Sequence, residues 1–321
     1  MKAPGHVLRG FVAVVIGATA VAAIACRTED TAIQLPTTTA PAPTATALSW
    51  SVVSSDIRAE FATPDLAPGR QRIAAVFSDA AGLIKVPVVR MRSYRYPDPD
   101  DLGDKTRAGP IETVIARFHE FPLGTRGIYV STLEFDRAGG WSVEADIPRP
   151  DGTTSTVEIR FEVGDETESV DVGEAPPPSR NRTAADVPSL AYLTTGSHRD
   201  PGLYQTTIAN ALKSRKPSVV VFASPAFCTN AVCGPQVEVL SEVREKYGDT
   251  ANYVHVDYYD NPQEIQGDLD RAIVSPVLSE WGLESQEWTF VIGKDGLVSA
   301  RFENFAPREE IEAALDAALA S

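Results

Sequence analysis

Hydrophobic and polar positions follow two different rhythms along this chain. From residue 50 to about 163, apolar and polar residues alternate in short runs, at 52–57, 72–77, 85–94, 112–121, 127–135, 141–147 and 156–163. A period of two puts one face of each run in a core and the other in solvent, which predicts half-buried strands. The turn sequences APG, DAAG, PDPDD, PLG, RAGG and RPDG separate the runs. Short strands at this spacing predict an antiparallel β-sandwich over residues 50–163.

The second rhythm begins near residue 189 and alternates helical and strand patterns. Tyr204, Ile208, Ala211 and Leu212 fall at helical spacing within 203–214. Ser218–Phe222 (SVVVF) is a continuous β-branched run, as in a strand buried on both faces. Val239, Leu240, Val243 and Tyr247 give 235–247 one apolar helical face, closed by Gly248. Strands are predicted at Asn252–Val256 and Trp288–Ile292, and Lys294-Asp295-Gly296 turns into another at 297–302. A last helix opens with Pro307, carries Glu309 and Glu310 in its first turn, and buries Ile311, Leu315 and Leu319. This α/β order occupies 189–321.

Composition adds the remaining segments. The chain has 321 residues, enough for two domains, and its net charge of -15 offers no basic surface to a nucleic acid. Residues 27–49 are rich in Thr, Ala and Pro and cannot bury a core, so they read as a tether. Residues 164–188 hold acidic residues and three consecutive prolines and read as an interdomain linker. Residues 1–26 read as a targeting segment, with Lys2 and Arg9 ahead of an apolar run too short to span a membrane. That run ends in AAIAC, which resembles the lipobox of bacterial lipoproteins, with Ala23 where Leu is usual. The resemblance implies lipidation of Cys26 and an extracytoplasmic protein anchored to the bacterial cell membrane without a spanning helix. Cys228 and Cys233 then remain as a pair, a structural staple or a redox couple in an oxidising compartment.

The pair lies in SVVVFASPAFCTNAVCGPQ, directly after the apolar strand. Were both cysteines helical, their spacing would give about 7.5 Å of rise. A disulfide tolerates a Cα separation of about 4.4–6.8 Å, so at least one must leave regular helix when bonded. Pro235, at home in a first helical turn, suggests Cys228 in a loop and Cys233 beside the helix start; the alternative is a helix that begins at Cys228 and unwinds locally on oxidation. A thiol there would be lowered in pKa by the helix terminus.

Together with WTFVIGKDG and the closing helix, this stretch resembles the thioredoxin superfamily over about the last two-fifths of the chain. The stretch GIYVSTLEFDRAGGWSVEADI, in turn, resembles the Tyr … Gly-Trp pattern of small extracytoplasmic β-sandwich modules of immunoglobulin-like type. The expected architecture is thus an all-β immunoglobulin-like sandwich followed by a thioredoxin-like α/β domain. The thioredoxin resemblance implies thiol–disulfide exchange with protein thiols and disulfides, Cys228 attacking and Cys233 resolving, with no cofactor.

Departures from the pattern keep other readings open. The spacing is Cx4C rather than CxxC, and Gln236 replaces the second cysteine of a CGPC motif. CTNAVC has the spacing of C-T-x-E-A-C in one peroxiredoxin subgroup, which would imply a thiol peroxidase. Peroxiredoxins, however, carry Thr or Ser where this chain has Pro225, and Arg where it has Glu287. Glu287 also occupies the superfamily's cis-proline position, where a carboxylate would disfavour a thiolate. The buried acid usual on the preceding strand is absent from SVVVF. An inert disulfide in a binding or docking protein is the competing expectation. His198 and His255 do not match the late histidine of copper-delivery relatives, so no metal site is assigned, and His119 and His255 read as packing residues.

Overall fold

The computed structural model describes residues 50–321 apart from 55, 98–106, 123, 125, 229–230 and 286, and these residues belong to one compact unit. Cys26, the targeting segment and most of the tether lie outside them. Nine strands come first: β1 (Trp50–Val53), β2 (Arg58–Phe61), β3 (Gly69–Asp79), β4 (Gly82–Leu83), β5 (Val88–Arg95), β6 (Thr113–Glu120), β7 (Gly127–Phe135), β8 (Gly139–Pro148) and β9 (Thr154–Val163). They form one antiparallel sheet in the order β1-β9-β8-β5-β6-β7-β3-β2, with β4 attached to β3. The end strands β1 and β2 come together, so the sheet curls into a barrel-like body.

The immunoglobulin-like sandwich is therefore replaced by a single curled sheet. Alternation along a strand fixes which face is buried. It carries no information on whether the buried faces belong to two sheets or to one closed on itself. The interior is what the alternation selects: Val157, Ile159, Phe161 and Val163 on β9 face Trp141, Val143, Ala145 and Ile147 on β8. The edge of Trp141 packs on Phe135, 4.9 Å between ring centroids.

Two strands break the alternation. On β3, Ile73 and Ala75 enter the barrel core while Ala74 between them is fully buried outside it; on β7, Tyr129 enters the barrel core while Ile128 and Val130 on either side of it are buried outside. The outer faces of these strands are covered by the second half of the chain.

That half is built on a four-stranded sheet of β10 (Ser218–Phe222), β11 (Asn252–Val256), β12 (Trp288–Ile292) and β13 (Val298–Glu303), in the order β11-β10-β12-β13. Strand β10 pairs parallel with β11 and antiparallel with β12, the thioredoxin-like arrangement. Helices α1 (Ile208–Lys213), α2 (Cys233–Tyr247), α3 (Pro262–Ile265), α4 (Pro276–Glu280) and α5 (Arg308–Ala320) complete it. One sheet face, through Val219, Val221 and Val291, packs on α2 and α5; the other, through Val220, Phe222 and Phe290, packs on α1 and α4. Strand β10 is buried on both faces for this reason. The helix expected over 203–214 starts later, because Thr207 caps it by accepting from Asn210 N–H at 3.1 Å, and a short 3-10 turn, Pro201–Tyr204, precedes it.

Residues 164–188 lie along this second module. Gly173 N–H donates to Val298 C=O at 2.8 Å and Val298 N–H to Glu174 C=O at 2.9 Å. Trp281 Nε1 donates to Ser179 Oγ at 3.1 Å. At Gly282 (φ +66) a Cβ would lie 2.0 Å from the Glu168 carbonyl oxygen, so only glycine lets the segment approach α4 this closely.

Candidate functional site

The cysteine loop leaves the carboxyl end of β10 and enters α2. Cys228 lies in the loop, half-buried, and Cys233 is the first residue of α2, with no exposure at all. The two form a disulfide with Cα atoms 5.9 Å apart. Pro235 takes the third helical position, where its missing N–H breaks no intrahelical bond. No side chain caps the start of α2; instead the Cys233 N–H points at Cys228 Sγ, 3.3 Å away. A thiolate on Cys228 would meet that amide and the positive end of a 15-residue helix.

A polar network fixes the approach to the loop. Asp257, just beyond β11, accepts from Thr195 N–H (2.7 Å), Thr195 Oγ (2.9 Å) and Tyr259 N–H (3.0 Å). Burial pushes its carboxyl up to about 6 despite those bonds. The same Thr195 hydroxyl lies 3.1 Å from Ser224 Oγ and accepts from Ala226 N–H at 3.2 Å. Pro225, between these two, packs against Gly196, where a Cβ would come within 3.1 Å of its ring. In this place Pro225 offers a loop contact and no hydroxyl.

His255 sits beneath the loop on β11. Its Nε2 bonds the Ala223 carbonyl (3.0 Å) and its Nδ1 the Tyr204 hydroxyl (2.7 Å), and burial pushes its pKa down to about 4. The ring is neutral, donating through Nε2 and accepting from Tyr204, and so ties β11 to the end of β10. His198 is exposed and pairs with Ser241 Oγ at 3.1 Å. Among the described residues no group of three His, Cys, Asp or Glu side chains converges as a metal site.

Glu287 directly precedes β12 and is fully buried, with φ +91. Trp288 and Phe290 face the α1 and α4 side of the sheet, while Val291 faces the other, so Glu287 and Thr289 belong to the layer that holds Cys233. Thr289 Oγ donates to Glu287 Oε1 at 3.3 Å, whereas Oε2 has no partner. Burial holds this carboxyl well above the usual range, with Arg72 opposing the rise and Glu303 adding to it. Burial thus shifts this carboxyl toward its uncharged form, against the repelling carboxylate its position suggests.

Sequence reasoning noted Gln236 only as a missing cysteine. It is fully buried one turn after Cys233, its Oε1 accepts from Ala306 N–H at 2.9 Å, and its Nε2 has no partner. Arg72, far away in sequence, gave no signal, because nothing in a β-strand pattern says what an outward arginine will meet.

No protein-family model and no curated protein matches the chain. Among solved structures, it is similar to a putative thiol:disulfide interchange protein DsbE from Chlorobium tepidum, at 15% identity and TM-score 0.35, over 47% of this chain and 99% of that one. It is also similar to the PmoD soluble domain from Methylocystis sp., at 18% identity and TM-score 0.22, over 35% of this chain and 96% of that one. Both scores are below 0.5, so the topology of the second module rests on its own strand order and pairing. Among the described residues no helix is long and apolar enough to cross a membrane.

Proposed function

We propose that the second module exchanges thiols and disulfides with protein partners through Cys228 and Cys233, on the outer side of a bacterial membrane to which a lipid on Cys26 holds the chain. The observation that carries this reading is the asymmetry of the pair: a half-buried sulfur in a loop, facing a helix amide, joined to a fully buried sulfur at the helix start. Only one sulfur is then open to a partner, and attack is directed to it.

In the reduced protein, Cys228 thiolate attacks a partner disulfide. Its sulfur bonds one partner sulfur, the partner S–S bond breaks, and the other partner sulfur leaves as a thiolate that takes a proton from water. Cys233, deprotonated, then attacks Cys228 Sγ; the mixed disulfide breaks, the second partner thiol is released, and the Cys228–Cys233 bond re-forms. A protein dithiol must reduce the pair again, by the same steps in reverse.

The pair's reduction potential tests the reading. A value above about -300 mV is expected, and one well below it marks a structural disulfide and overturns exchange. Cys233→Ser should accumulate a mixed disulfide through Cys228. The docking alternative draws on one observation, the packing of Cys233 and Val232 in a core shared with Ala62, Phe121 and Val130 of the barrel. Mass spectrometry of the mature N-terminus tests the anchor: any start other than a lipidated Cys26 rejects it.

A further inference from the structure

The layer around Cys233 is held from the barrel side. Arg72 on β3 donates through Nη1 to the Glu303 carbonyl (2.9 Å), through Nη2 to the Phe305 carbonyl (2.6 Å) and through Nε to Glu310 Oε2 on α5 (3.0 Å). Phe121, at the end of β6, lies 4.2 Å from the Phe305 ring, centroid to centroid. Two barrel side chains therefore fix the segment 303–306. That segment in turn holds both unusual polar residues of the sulfur layer. Asn304 N–H donates to the Glu287 carbonyl (3.0 Å), and Ala306 N–H donates to Gln236 Oε1 (2.9 Å).

Gln236 Nε2 and Glu287 Oε2 are buried without partners. Native interiors pair nearly all such groups, and an unpaired one calls for an explanation such as strain, an unseen water or a chemical role. Here both belong to the layer of a disulfide whose exchange leaves an electron pair on a fully buried sulfur. A thiolate on Cys233 is expensive in a dry interior unless its surroundings favour negative charge.

Resting on the exchange reading above, we infer that the barrel is part of the sulfur site: Arg72 is a positioning residue that, through segment 303–306, fixes Gln236 and Glu287 in the layer of Cys233 and supplies the positive charge that Glu287 faces. The charged groups around Glu287 come from three elements. Arg72 on β3 is the opposing charge, Glu303 on β13 the like charge, and Glu310 on α5 shares Arg72. Farther along the junction, Asp65 is paired with Arg301 at 2.9 Å and so offers Glu287 no free charge. Burial drives Glu287 toward the neutral form and Arg72 draws it back toward ionisation, so the charge that a developing Cys233 thiolate would feel from this carboxyl is set from the barrel side.

The test is the rate of disulfide reduction by dithiothreitol from pH 5 to 10, divided by the thiolate fraction of the reagent. Wild type should show one downward step with rising pH, as Glu287 ionises, and Glu287→Gln should remove it. Arg72→Gln should move the step to higher pH by about one pH unit, as the loss of a single charge interaction would, and Arg72→Lys should return it to its wild-type position. Should Arg72→Gln fail to fold, Glu310→Gln frees the arginine of its carboxylate partner and should move the step to lower pH. A residue that merely joins the modules would lower Tm and leave the step in place. No step in wild type, a step that survives Glu287→Gln, or a step unmoved by Arg72→Gln and Glu310→Gln overturns the inference. Failure of the exchange reading is separate. It would show as a wild-type potential in the range of structural disulfides, while the Arg72 effect on the Glu287 step would still be read.

Discussion

Replacing Glu303 with Gln should make stability less dependent on pH, and the size of the change follows from the site. Glu303 ends β13 at 7% exposure, with Oε1 accepting from Ser285 Oγ (2.7 Å) and Oε2 from Asp65 N–H (3.1 Å). Burial pushes its carboxyl from 4.5 to about 7 in spite of these bonds. An acid raised in the folded state binds its proton more tightly there than when unfolded. Its stability contribution is therefore complete below pH 4.5 and is lost as pH rises through 7. Over that window the loss amounts to about 3 kcal/mol, since each pKa unit is worth about 1.4 kcal/mol. Glutamine carries no charge to desolvate but must turn its NH2 toward either Ser285 or the Asp65 N–H, a mismatch of about 1 kcal/mol. The variant should thus be about as stable as wild type at pH 5 and about 2 kcal/mol more stable at pH 8. Urea unfolding at both pH values, with the slope m compared between proteins, measures the difference. A difference between the two proteins that stays constant from pH 5 to pH 8 would refute the reasoning.

Other substitutions probe separate parts of the structure. His255→Gln should flatten the acid side of the stability profile. The histidine is held neutral, with its pKa pushed down to about 4, so wild type should lose about 3 kcal/mol as pH falls from 6.5 to 4, and thermal melts over that range would show it. Gly282→Ala meets both a left-handed backbone and the Glu168 carbonyl, and should cost about 2–4 kcal/mol in chemical unfolding; a cost under 0.5 kcal/mol would mean that segment 164–188 shifts freely. Phe121→Ala empties the contact with Phe305 and should cost about 3–5 kcal/mol, with protection of the 303–306 amides lost first in hydrogen exchange.

Strand positions were legible wherever burial had a simple period. The runs that became β8 and β9 alternate strictly, and SVVVF became a strand covered on both faces. What alternation could not convey was closure, since a residue such as Phe161 is inward-facing whether its sheet belongs to a sandwich or curls upon itself. The strand β2 was too short to register and the hairpin through β4 too small, yet β2 provides the end that meets β1. Likewise the Cx4C spacing and Pro235 pointed to one cysteine in a loop and one at a helix start. Glu287 was legible as an anomaly of position and illegible in its effect. Whether a carboxyl repels a thiolate depends on its charge, and its charge depends on burial, which local sequence does not encode.

The barrel and the second module share a junction within one compact unit, Ala45–Ser321. The junction contains Arg301 and Asp65, paired at 2.9 Å with side chains 8% and 4% exposed. Such a pair is costly to desolvate and adds little net stability, but it tolerates few alternative geometries. The arrangement is pinned further, since Asp65 also accepts from Ser169 Oγ (2.7 Å) and the N–H groups of Glu168 (2.8 Å) and Ser169 (3.1 Å). A flexible tether would have no use for two segments, β13 and residues 168–169, converging on one carboxylate. Apolar contact alone, from Ala74, Ile128 and Val130, could let the barrel slide across α2 and α5; the directional bonds of Asp65 and Arg72 forbid it. Cys233 is wholly buried in the core that this junction shares with Ala62, Phe121 and Val130. With Cys233 wholly buried and Cys228 half-buried, an exchange partner of the kind proposed would meet the bond from the Cys228 side.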